Sequence, residues 1–368
     1  MKITVVGCGA GALATAADLS LREHDVTLYV SVDHAPNFDD IRKDRIIIYN
    51  DKTVDEGPVF VPISSVTHDK QSAFCGRELI LVVAPSFAHE DIAYEMAEYV
   101  DIDDVVVICP GSTGGSLVFK RVFDRVTGGR CPMLGEMHTL PYTVRKESSD
   151  TVNVMLHVEH LLLAALPATM NKRLHSLVRQ IYPDVVLCSD VFETGLNNGN
   201  ATTHPAPMVL NAGKIECYGK HSHYAEGITP SVAEVVQQID DERKRICHAF
   251  GYKELDIKDR LFLMGYCPRR ETVYECITSD ESVFMPIEGP NTLDNRYLTE
   301  DAPYSLVAMR SLAQLKGVKT PLMDSVICLA GALMGQDYMN EGRTLESMGI
   351  DDMTYEEVMD FVRRGIEK

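Results

Sequence analysis

The sequence lacks the features that mark several common classes of protein. Its ten cysteines include no C-x-x-C pair and are scattered along the chain, several of them inside apolar runs. This pattern predicts reduced thiols, no disulfide and no zinc or other metal site. The sequence also has no tryptophan, which excludes no class of protein, and no internal repeat or low-complexity tract.

Positive charge is scarce. The 35 lysines and arginines are outnumbered by 54 aspartates and glutamates, which gives a formal net charge of -19 and a pI near 5.0. Nucleic acids and anionic membranes bind basic surfaces, so neither is an expected partner. Any phosphate group must therefore be held locally, by backbone amides and a few arginines.

Long apolar runs are missing as well. No run approaches membrane-spanning length, and the chain enters a strand pattern at Met1 without a charged and apolar leader. We therefore expect a cytoplasmic protein. The 368 residues, 45% apolar and 24% charged, suit two well-packed domains.

The N-terminal stretch that is present carries a nucleotide-binding pattern. A buried-strand run at 2–6 ends in a glycine turn, and a helix from 13 to about 22 and a strand at 26–30 follow. In such a unit Gly7 permits the tight turn, Gly9 lets the backbone approach a pyrophosphate, and Ala12 permits close helix–strand contact. The helix N-terminus then favours phosphate. The predicted cofactor-binding residues of this turn are Gly7, Gly9, Ala10, Gly11 and Ala12.

The acid that usually selects NAD is absent from the end of the second strand. It would accept hydrogen bonds from the ribose hydroxyls, but Val30 and Ser31 occupy that place and the first acid, Asp33, comes later. Together with Ala12, this favours NADP, with NAD as the alternative, and Ser31 is a predicted cofactor contact. Three basic residues would serve a 2′-phosphate or form a solvated face: Arg42, Lys43 and Arg45.

Further strands are predicted at 46–49, 59–63, 79–84 and 105–109, and the last two lead into helices through polar turns. Ligands of doubly wound sheets bind outside the carboxyl ends of the strands, so these turns should border the nicotinamide. For the serines and threonine, helix capping is an equally good explanation. The candidate lining residues are Pro85, Ser86, His89, Gly111, Ser112 and Thr113.

The predicted secondary structure changes from strands to helices near residue 190. Before it, a polar and aromatic stretch at 135–145 stands where a last crossover is expected, and strand patterns at 152–158 and 185–188 follow. After it, the runs 231–250, 304–315 and 323–334 carry apolar residues at helical spacing. We predict an α/β Rossmann-type doubly wound domain over residues 1–190 and an all-α domain over residues 191–368.

Two polar stretches of the second domain carry candidate chemistry. His204 stands beside two prolines and follows three asparagines, an unusual choice for a helix interior. A polar linker or a capped helix start explains that stretch equally well. In the charged loop at 290–304, helix capping is the default role for Asp301 and surface placement the default for Arg296.

Several motifs occur together in a specific order and spacing. They are the glycine turn at 7–12, Pro110-Gly111-x-x-Gly114-Gly115, Asn200-x-x-x-His204-Pro205, Tyr224-x-Glu226-Gly227-x-Thr229-Pro230-Ser231, Arg296-Tyr297-x-x-Glu300-Asp301-x-Pro303-Tyr304 and Gly342-Arg343-Thr344. Over nearly its whole length the sequence resembles the octopine/nopaline dehydrogenase family, the opine dehydrogenases. The resemblance implies a Rossmann domain, a helical domain, and reductive condensation of an amino acid's amine with a 2-oxo acid by NADH or NADPH.

The resemblance also implies roles for three residues. His204 corresponds to the catalytic histidine, Asp301 to its carboxylate partner, and Arg296 to the anchor of a substrate carboxylate. Histidine suits proton control near neutrality, and a carboxylate neighbour should raise the pKa of His204. Asn295 departs from the family, where histidine is more frequent, and Val30 departs at the ribose position.

The remaining pocket residues are less constrained by the sequence. Asn200 would share the face of His204 if the segment is helical, and could orient the substrate or the nicotinamide amide. Tyr142 is predicted to bind substrate. Structural roles are equally open for the other pocket candidates, Glu136, His138, Tyr224 and Glu226.

Two other functions fit the same pattern. One is a two-domain 2-oxo acid or 3-hydroxy acid dehydrogenase that needs no amine, and the other is an inactive nucleotide-binding protein. The identity of the amino acid and the 2-oxo acid is left open, as is the choice between monomer and homodimer.

Overall fold

The chain divides into two compact units. The structure, a computed structural model, describes residues 1–32 and 38–366. Unit 1 comprises Met1–Gly111, Gly115–Val191 and Val362–Gly365, and unit 2 comprises Ser112–Gly114, Phe192–Phe361 and Ile366.

Unit 1 contains all the described strands and six helices. The strands are β1 Lys2–Val6, β2 Asp25–Tyr29, β3 Ile46–Asp51, β4 Val59–Pro62, β5 Ser65–Thr67, β6 Leu79–Val82, β7 Val105–Ile108, β8 Met133–Met137, β9 Tyr142–Lys146, β10 Thr151–His157, β11 Leu162–Leu166 and β12 Val186–Leu187. The helices are α1 Ala10–Leu21, α2 Phe38–Asp44, α3 Lys70–Phe74, α4 His89–Met96, α5 Gly115–Thr127 and α6 Asn171–Val178.

The larger sheet of unit 1 has eight strands in the order β12-β11-β8-β7-β6-β1-β2-β5. Its neighbours run parallel except for the antiparallel pair of β8 and β11. Strands β6 and β7 are apolar throughout and buried along their whole length, as parallel strands covered on both faces require. The chain leaves β1 in opposite directions across the sheet, to β2 on one side and β6 on the other. This switch point is where such folds bind ligands, and the predicted Rossmann-type fold is confirmed.

Four strands form a second sheet in the order β4-β3-β10-β9. The predicted strands at 46 and 59 therefore exist but lie outside the main sheet. Burial alternates along β3, where Ile47 and Tyr49 are buried between half-buried neighbours, as in a sheet with one covered face. The polar stretch at 135–145, where a crossover was expected, instead contributes to β8 and β9.

The regular elements described for unit 2 are all helices, as predicted. Its helices are α7 Val191–Leu196, α8 Asn200–Thr203, α9 Pro205–Leu210, α10 Ala212–Tyr218, α11 Pro230–Phe250, α12 Ile257–Leu263, α13 Val273–Ile277, α14 Arg296–Thr299, a π-helical turn Ala302–Leu306, α15 Val307–Leu315, α16 Pro321–Met334, α17 Tyr338–Glu341 and α18 Tyr355–Arg364, the last of which ends in unit 1. Among the described helices, none has both the length and the apolar character needed to cross a membrane.

The long helix α11 follows the expected start and stop chemistry. Thr229 caps it by accepting a hydrogen bond from the Val232 amide at 3.4 Å, and Pro230 occupies the first helical position, where a missing N–H is harmless. Gly251 ends the helix with a positive φ of 77°, a conformation that glycine adopts without strain.

A fully buried ionic cluster joins α11 to α12. The Asp240 carboxylate accepts hydrogen bonds from Arg243 and Arg260, each at 2.6 Å. Burial acts to raise the pKa of Asp240, but the two guanidinium groups hold it below its ordinary value. Arg243 and Arg260 also donate to the backbone carbonyls of Leu196 and Asn197, at 3.4 and 3.1 Å. The cluster therefore fixes the backbone just ahead of the stretch that carries His204.

We expect Asp240→Ala to destabilise the protein by about 3–5 kcal/mol, because it leaves two buried guanidinium groups without their carboxylate. Urea unfolding followed by circular dichroism measures this. Asp241→Ala is the matched control, since Asp241 forms a half-exposed pair with Lys244 whose loss should cost no more than about 1 kcal/mol. Equal destabilisation by the two substitutions would contradict this account of the cluster.

Candidate active site

His204 lies at the junction of two short helices. Helix α8 ends at Thr203 and α9 begins at Pro205, so the proline starts a helix instead of interrupting one. The His204 amide donates to the Asn200 carbonyl at 3.0 Å, and the His204 carbonyl accepts from the Met208 amide at 3.1 Å. The prolines of this stretch thus fix the backbone of the histidine.

The imidazole of His204 is hydrogen-bonded at both nitrogens. Its Nδ1 lies 2.8 Å from Oδ2 of Asp301, and its Nε2 lies 2.8 Å from the Tyr224 hydroxyl. The side chains of His204 and Asp301 are each 7% exposed. Asp301 precedes the π-helical turn but makes no capping hydrogen bond there, so capping, its default role, does not describe it.

Aromatic rings enclose the imidazole. The Tyr297 ring stacks on His204 with a centroid distance of 3.7 Å and an interplanar angle of 11°. His223 meets it edge-on at 5.7 Å, and its Nε2 donates to the Thr203 carbonyl at 3.1 Å. Burial lowers the pKa of His223 to about 3, with the neighbouring His204 acting in the same direction, so His223 stays neutral.

The carboxyl partner titrates near neutrality. Burial raises the pKa of Asp301 to about 7, and the Arg296 charge partly opposes that rise. Asp301 shares a hydrogen bond with His204, so the proton of the carboxyl is coupled to the imidazole. A buried carboxyl whose pKa is raised to about 7, hydrogen-bonded to an imidazole, is suited to general acid–base chemistry.

Arg296 is the exposed cation of the site. It lies on α14 with its side chain 59% exposed, and its Nη1 is 3.5 Å from Oε2 of Glu300. Asn295, which departs from the family pattern, caps α14 by accepting a hydrogen bond from the Tyr297 amide at 3.1 Å. Asn200 begins α8 and is half-buried. The guanidinium of Arg296 is therefore accessible to an anionic ligand.

Tyr142 lies in the hydrophobic core of unit 1. It is 3% exposed, its hydroxyl donates to Asp18 at 2.6 Å, and the Tyr182 hydroxyl is 3.3 Å away. The side chain is thus engaged in the core of unit 1, and its role in substrate binding stays a prediction.

The other pocket candidates have structural partners of their own. Buried Glu136 accepts from the Ser116 amide at 3.0 Å, and buried His138 accepts from the Leu162 amide at 3.0 Å through Nδ1. Glu226 forms a surface ion pair with Lys214 at 2.8 Å. Tyr224, the fourth candidate, contacts His204 directly.

The glycine turn of unit 1 has the shape that a dinucleotide requires. Gly7 has a φ of +128°, and a Cβ there would come within 2.3 Å of the Val83 carbonyl oxygen. A Cβ on Gly9 would meet no described atom within 4 Å, which leaves room for a pyrophosphate. Helix α1 begins at Ala10, three residues earlier than predicted, and places the first-turn amides of Ala10, Gly11 and Ala12 at the end of β1. These residues fit the cofactor.

The other predicted cofactor contacts lie on separate turns. Pro85 precedes a 3-10 turn that begins at buried Ser86, and Gly111 packs so closely on Glu136 that a Cβ would come within 2.6 Å of it. Thr113, with Ser112, belongs to unit 2, where its hydroxyl donates to the Gly195 carbonyl at 3.0 Å. Buried His89 begins α4.

An acid missed by the sequence reasoning lies at the end of β2. Glu95 of α4 accepts hydrogen bonds from the Ser31 hydroxyl at 2.6 Å and from the Tyr29 hydroxyl at 2.8 Å. Glu95 follows Ser31 by 64 residues, so no local spacing could reveal it. Asp33, the acid noted in the sequence, lies outside the described residues.

The basic residues considered for a 2′-phosphate lie near one another in the chain. Arg42 and Lys43 are in the last turn of α2, where basic side chains favour the helix dipole. Arg45 donates to the Ser64 carbonyl at 3.1 Å.

The glycine turn of unit 1 and the buried His–Asp pair of unit 2 are together typical of a two-domain, dinucleotide-dependent dehydrogenase. Residues 187–334 match the family described as NAD/NADP octopine/nopaline dehydrogenase, alpha-helical domain. The opine dehydrogenase of Arthrobacter sp. (strain 1C) is 31% identical over 355 residues, which cover 95% of each chain. The chain belongs to this family, the opine dehydrogenases.

Solved structures agree on the fold. Octopine dehydrogenase with NADH and L-arginine superposes with a TM-score of 0.79 at 19% identity, covering 100% of this chain and 99% of the other. Yersinopine dehydrogenase with bound NADP+ superposes with a TM-score of 0.71 at 12% identity, covering 95% and 97%. By its family, the protein is an NAD(P)-dependent oxidoreductase that acts on CH–NH donors.

We expect Asp301→Asn to lower kcat by about 10²–10³-fold, within the range typical of lost general acid–base catalysis. Because burial raises the pKa of Asp301 to about 7, the wild-type carboxyl ionises only as the pH rises through that value. The limb of the kcat profile that rises through pH 7 should therefore be absent from the variant. Steady-state rates between pH 5.5 and 9 measure this.

The exposed Asp294, seven residues before Asp301, provides the matched control for that experiment. Asp294→Asn should keep both the rate and the pH profile. An unchanged profile in Asp301→Asn would show that the pair does not govern turnover.

Proposed function

We propose that this enzyme condenses the amine of an amino acid with a 2-oxo acid and reduces the product, with His204 and Asp301 as its acid–base pair. The single observation that carries the proposal is the buried 2.8 Å hydrogen bond between Nδ1 of His204 and Asp301. A carboxylate on that nitrogen fixes the tautomer and orientation of the ring and stabilises its protonated form. The pair can thus take up a proton in one step and return it in the next.

Each residue of the proposed site has one role in the condensation. The pair accepts a proton from the amine as it attacks the keto carbon, the keto oxygen takes a proton from solvent to become a hydroxyl, and the pair returns its proton to that hydroxyl, which leaves as water. Arg296 holds the carboxylate of the 2-oxo acid through its planar fork of donors, and Asn200 orients the substrate. Reduced nicotinamide, when bound, supplies the hydride that reduces the imine carbon.

The substrate class rests on the family and on an exposed guanidinium. Octopine dehydrogenase has been solved with L-arginine, with pyruvate and with agmatine. We infer that a small 2-oxo acid such as pyruvate is the carboxylate held by Arg296, whose side chain is 59% exposed. We further propose a cytoplasmic enzyme that is a monomer or a homodimer.

A grid of amines against 2-oxo acids tests the proposal. Oxidation of NADPH and NADH is followed with arginine, alanine, taurine or glutamate against pyruvate, 2-oxoglutarate or glyoxylate. We expect turnover only when amine and oxo acid are both present, and a loss of about 10²–10⁴-fold in His204→Ala. His248→Ala is the matched control, because His248 is a surface histidine whose side chain is 78% exposed.

Two outcomes of the grid would count against the proposal. Turnover with an oxo acid alone would favour a 2-oxo acid or 3-hydroxy acid dehydrogenase. Near-normal turnover by His204→Ala with the cofactor bound would remove His204 from the chemistry.

NADP and NAD are both candidate cofactors. Val30, Ser31 and Ala12 favour NADP, because the usual acid is missing from β2. Glu95 favours NAD, because its carboxylate reaches the Ser31 hydroxyl at 2.6 Å and would repel a 2′-phosphate. We infer that Glu95 acts as the missing acid and shifts the preference toward NADH.

We expect Glu95→Gln to raise the ratio of kcat/KM for NADPH to that for NADH by about tenfold, equivalent to about 1.4 kcal/mol of relieved repulsion. Parallel kinetics with the two cofactors measure the ratio. The control is Glu98, which is exposed on the turn after α4. Glu98→Gln removes the same charge and should leave the ratio unchanged. An equal change of the ratio in both variants would show that net charge, and not the position of Glu95, governs cofactor preference.

A further inference from the structure

The catalytic nitrogen of His204 is covered by a tyrosine. The proposed chemistry uses Nδ1 to contact Asp301, so protons must pass to and from the substrate by way of Nε2. In the structure Nε2 lies 2.8 Å from the hydroxyl of Tyr224. The tyrosine hydroxyl is therefore the next atom along the path that a proton would take from Asp301 through the imidazole.

Ring contacts hold Tyr224 in this position. The side chain is 3% exposed, and its ring stacks on Phe284 at a centroid distance of 4.4 Å and an angle of 19°. The ring also meets His223 edge-on at 4.8 Å and 84°. Phe284 stacks in turn on Tyr266 at 5.1 Å. Rotating the phenol away from Nε2 would break the first two contacts together.

The backbone around Tyr224 is fixed as well. Gly227 packs so tightly that a Cβ there would come within 2.4 Å of the His223 carbonyl oxygen. The Asn211 side chain donates to the Gly227 carbonyl at 2.9 Å and to the Pro207 carbonyl at 2.8 Å, which ties this turn to α9. The family motif Tyr224-x-Glu226-Gly227 thus places a phenol against the helix that follows His204.

We propose that Tyr224 is a catalytic residue whose hydroxyl, and not Nε2 of His204, exchanges the proton with the substrate. This inference rests on the proposed function, because it assigns the last step of the same proton path. Asp301, His204 and Tyr224 then form one chain of hydrogen bonds, with the phenol at the substrate end. His204 acts through the phenol by resupplying its proton.

The step balances for the loss of water from the carbinolamine formed by amine and oxo acid. The lone pair on nitrogen forms the C=N bond as the C–O bond breaks, and the departing hydroxyl takes the proton of the Tyr224 hydroxyl to leave as water. The phenolate takes the proton on Nε2 of His204. The imidazole is left neutral, the form in which it can accept a proton again. In the amine-addition step the Tyr224 hydroxyl passes its proton to neutral Nε2 as it takes one from the attacking nitrogen, and the carbonyl oxygen takes a proton from solvent to become the hydroxyl of the carbinolamine.

Tyr224→Phe tests the proposal, because it removes the hydroxyl while keeping the ring that stacks on Phe284. We expect kcat to fall about 10²-fold with the best amine and oxo acid pair, the low end of the usual loss for an acid–base group. The cofactor dissociation constant and the melting temperature should stay close to the wild-type values. Tyr266→Phe, which removes a hydroxyl from the other end of the same stack, should keep wild-type turnover.

A proton inventory, the dependence of the rate on the deuterium content of the solvent, distinguishes a proton-relay role of Tyr224 from a structural one. Rates in mixtures of H2O and D2O should give a curved plot for the wild type, because two protons move in the relay step, and a straight or flat plot for Tyr224→Phe. A merely structural tyrosine would leave the shape of the plot unchanged.

Two results would overturn the inference. Turnover in Tyr224→Phe equal to or above that of the wild type would show that the phenol only blocks Nε2, and an unchanged curved inventory would place the relay elsewhere. In either case an inactive His204→Ala leaves the proposed function standing. An active His204→Ala defeats the proposed function itself, so the two failures are distinguishable.

Discussion

The structure of the site depends on a hydrogen bond between two groups that are costly to bury. An imidazole and a carboxyl lose their water in a site where each side chain is 7% exposed, and neither is tolerated there without a partner. The 2.8 Å contact between His204 and Asp301 supplies that partner. Because the two residues are 97 positions apart, α8, α9 and the π-helical turn must pack together before the bond can form.

A second buried polar network supports the first from the rest of unit 2. The Asp240 carboxylate gathers Arg243 and Arg260, and these donate to the carbonyls of Leu196 and Asn197. These directional hydrogen bonds hold that backbone at one position. The start of the polar stretch that leads to His204 is therefore fixed by charges more than 40 residues further along the chain.

The sequence predicted those parts of the molecule that rest on local patterns. The glycine turn, the apolar strands β6 and β7 and the helical character of unit 2 follow from short-range spacing, and family resemblance brought His204 and Asp301 together. Contacts between residues far apart in the sequence could not be predicted from local patterns. Glu95 accepts a hydrogen bond from Ser31, 64 positions earlier, and the second sheet assembles strands from two stretches of unit 1, residues 46–62 and 142–157. Strand β11 was missed because a short apolar run does not distinguish a strand from a buried helix. A polar, aromatic stretch does not reveal which of its tyrosines is buried in the core, as Tyr142 is.

Two histidines in the same dry pocket show how local partners assign different tasks. His223 and His204 meet edge-on at 5.7 Å, yet His223 donates to a backbone carbonyl, and burial lowers its pKa to about 3. It remains neutral at physiological pH and can serve only as packing and as a hydrogen-bond donor. His204 faces Asp301, whose carboxyl pKa is raised by burial to about 7. The two histidines differ in their environment and not in residue type, which is why we assign the proposed chemistry to the one that faces a carboxyl.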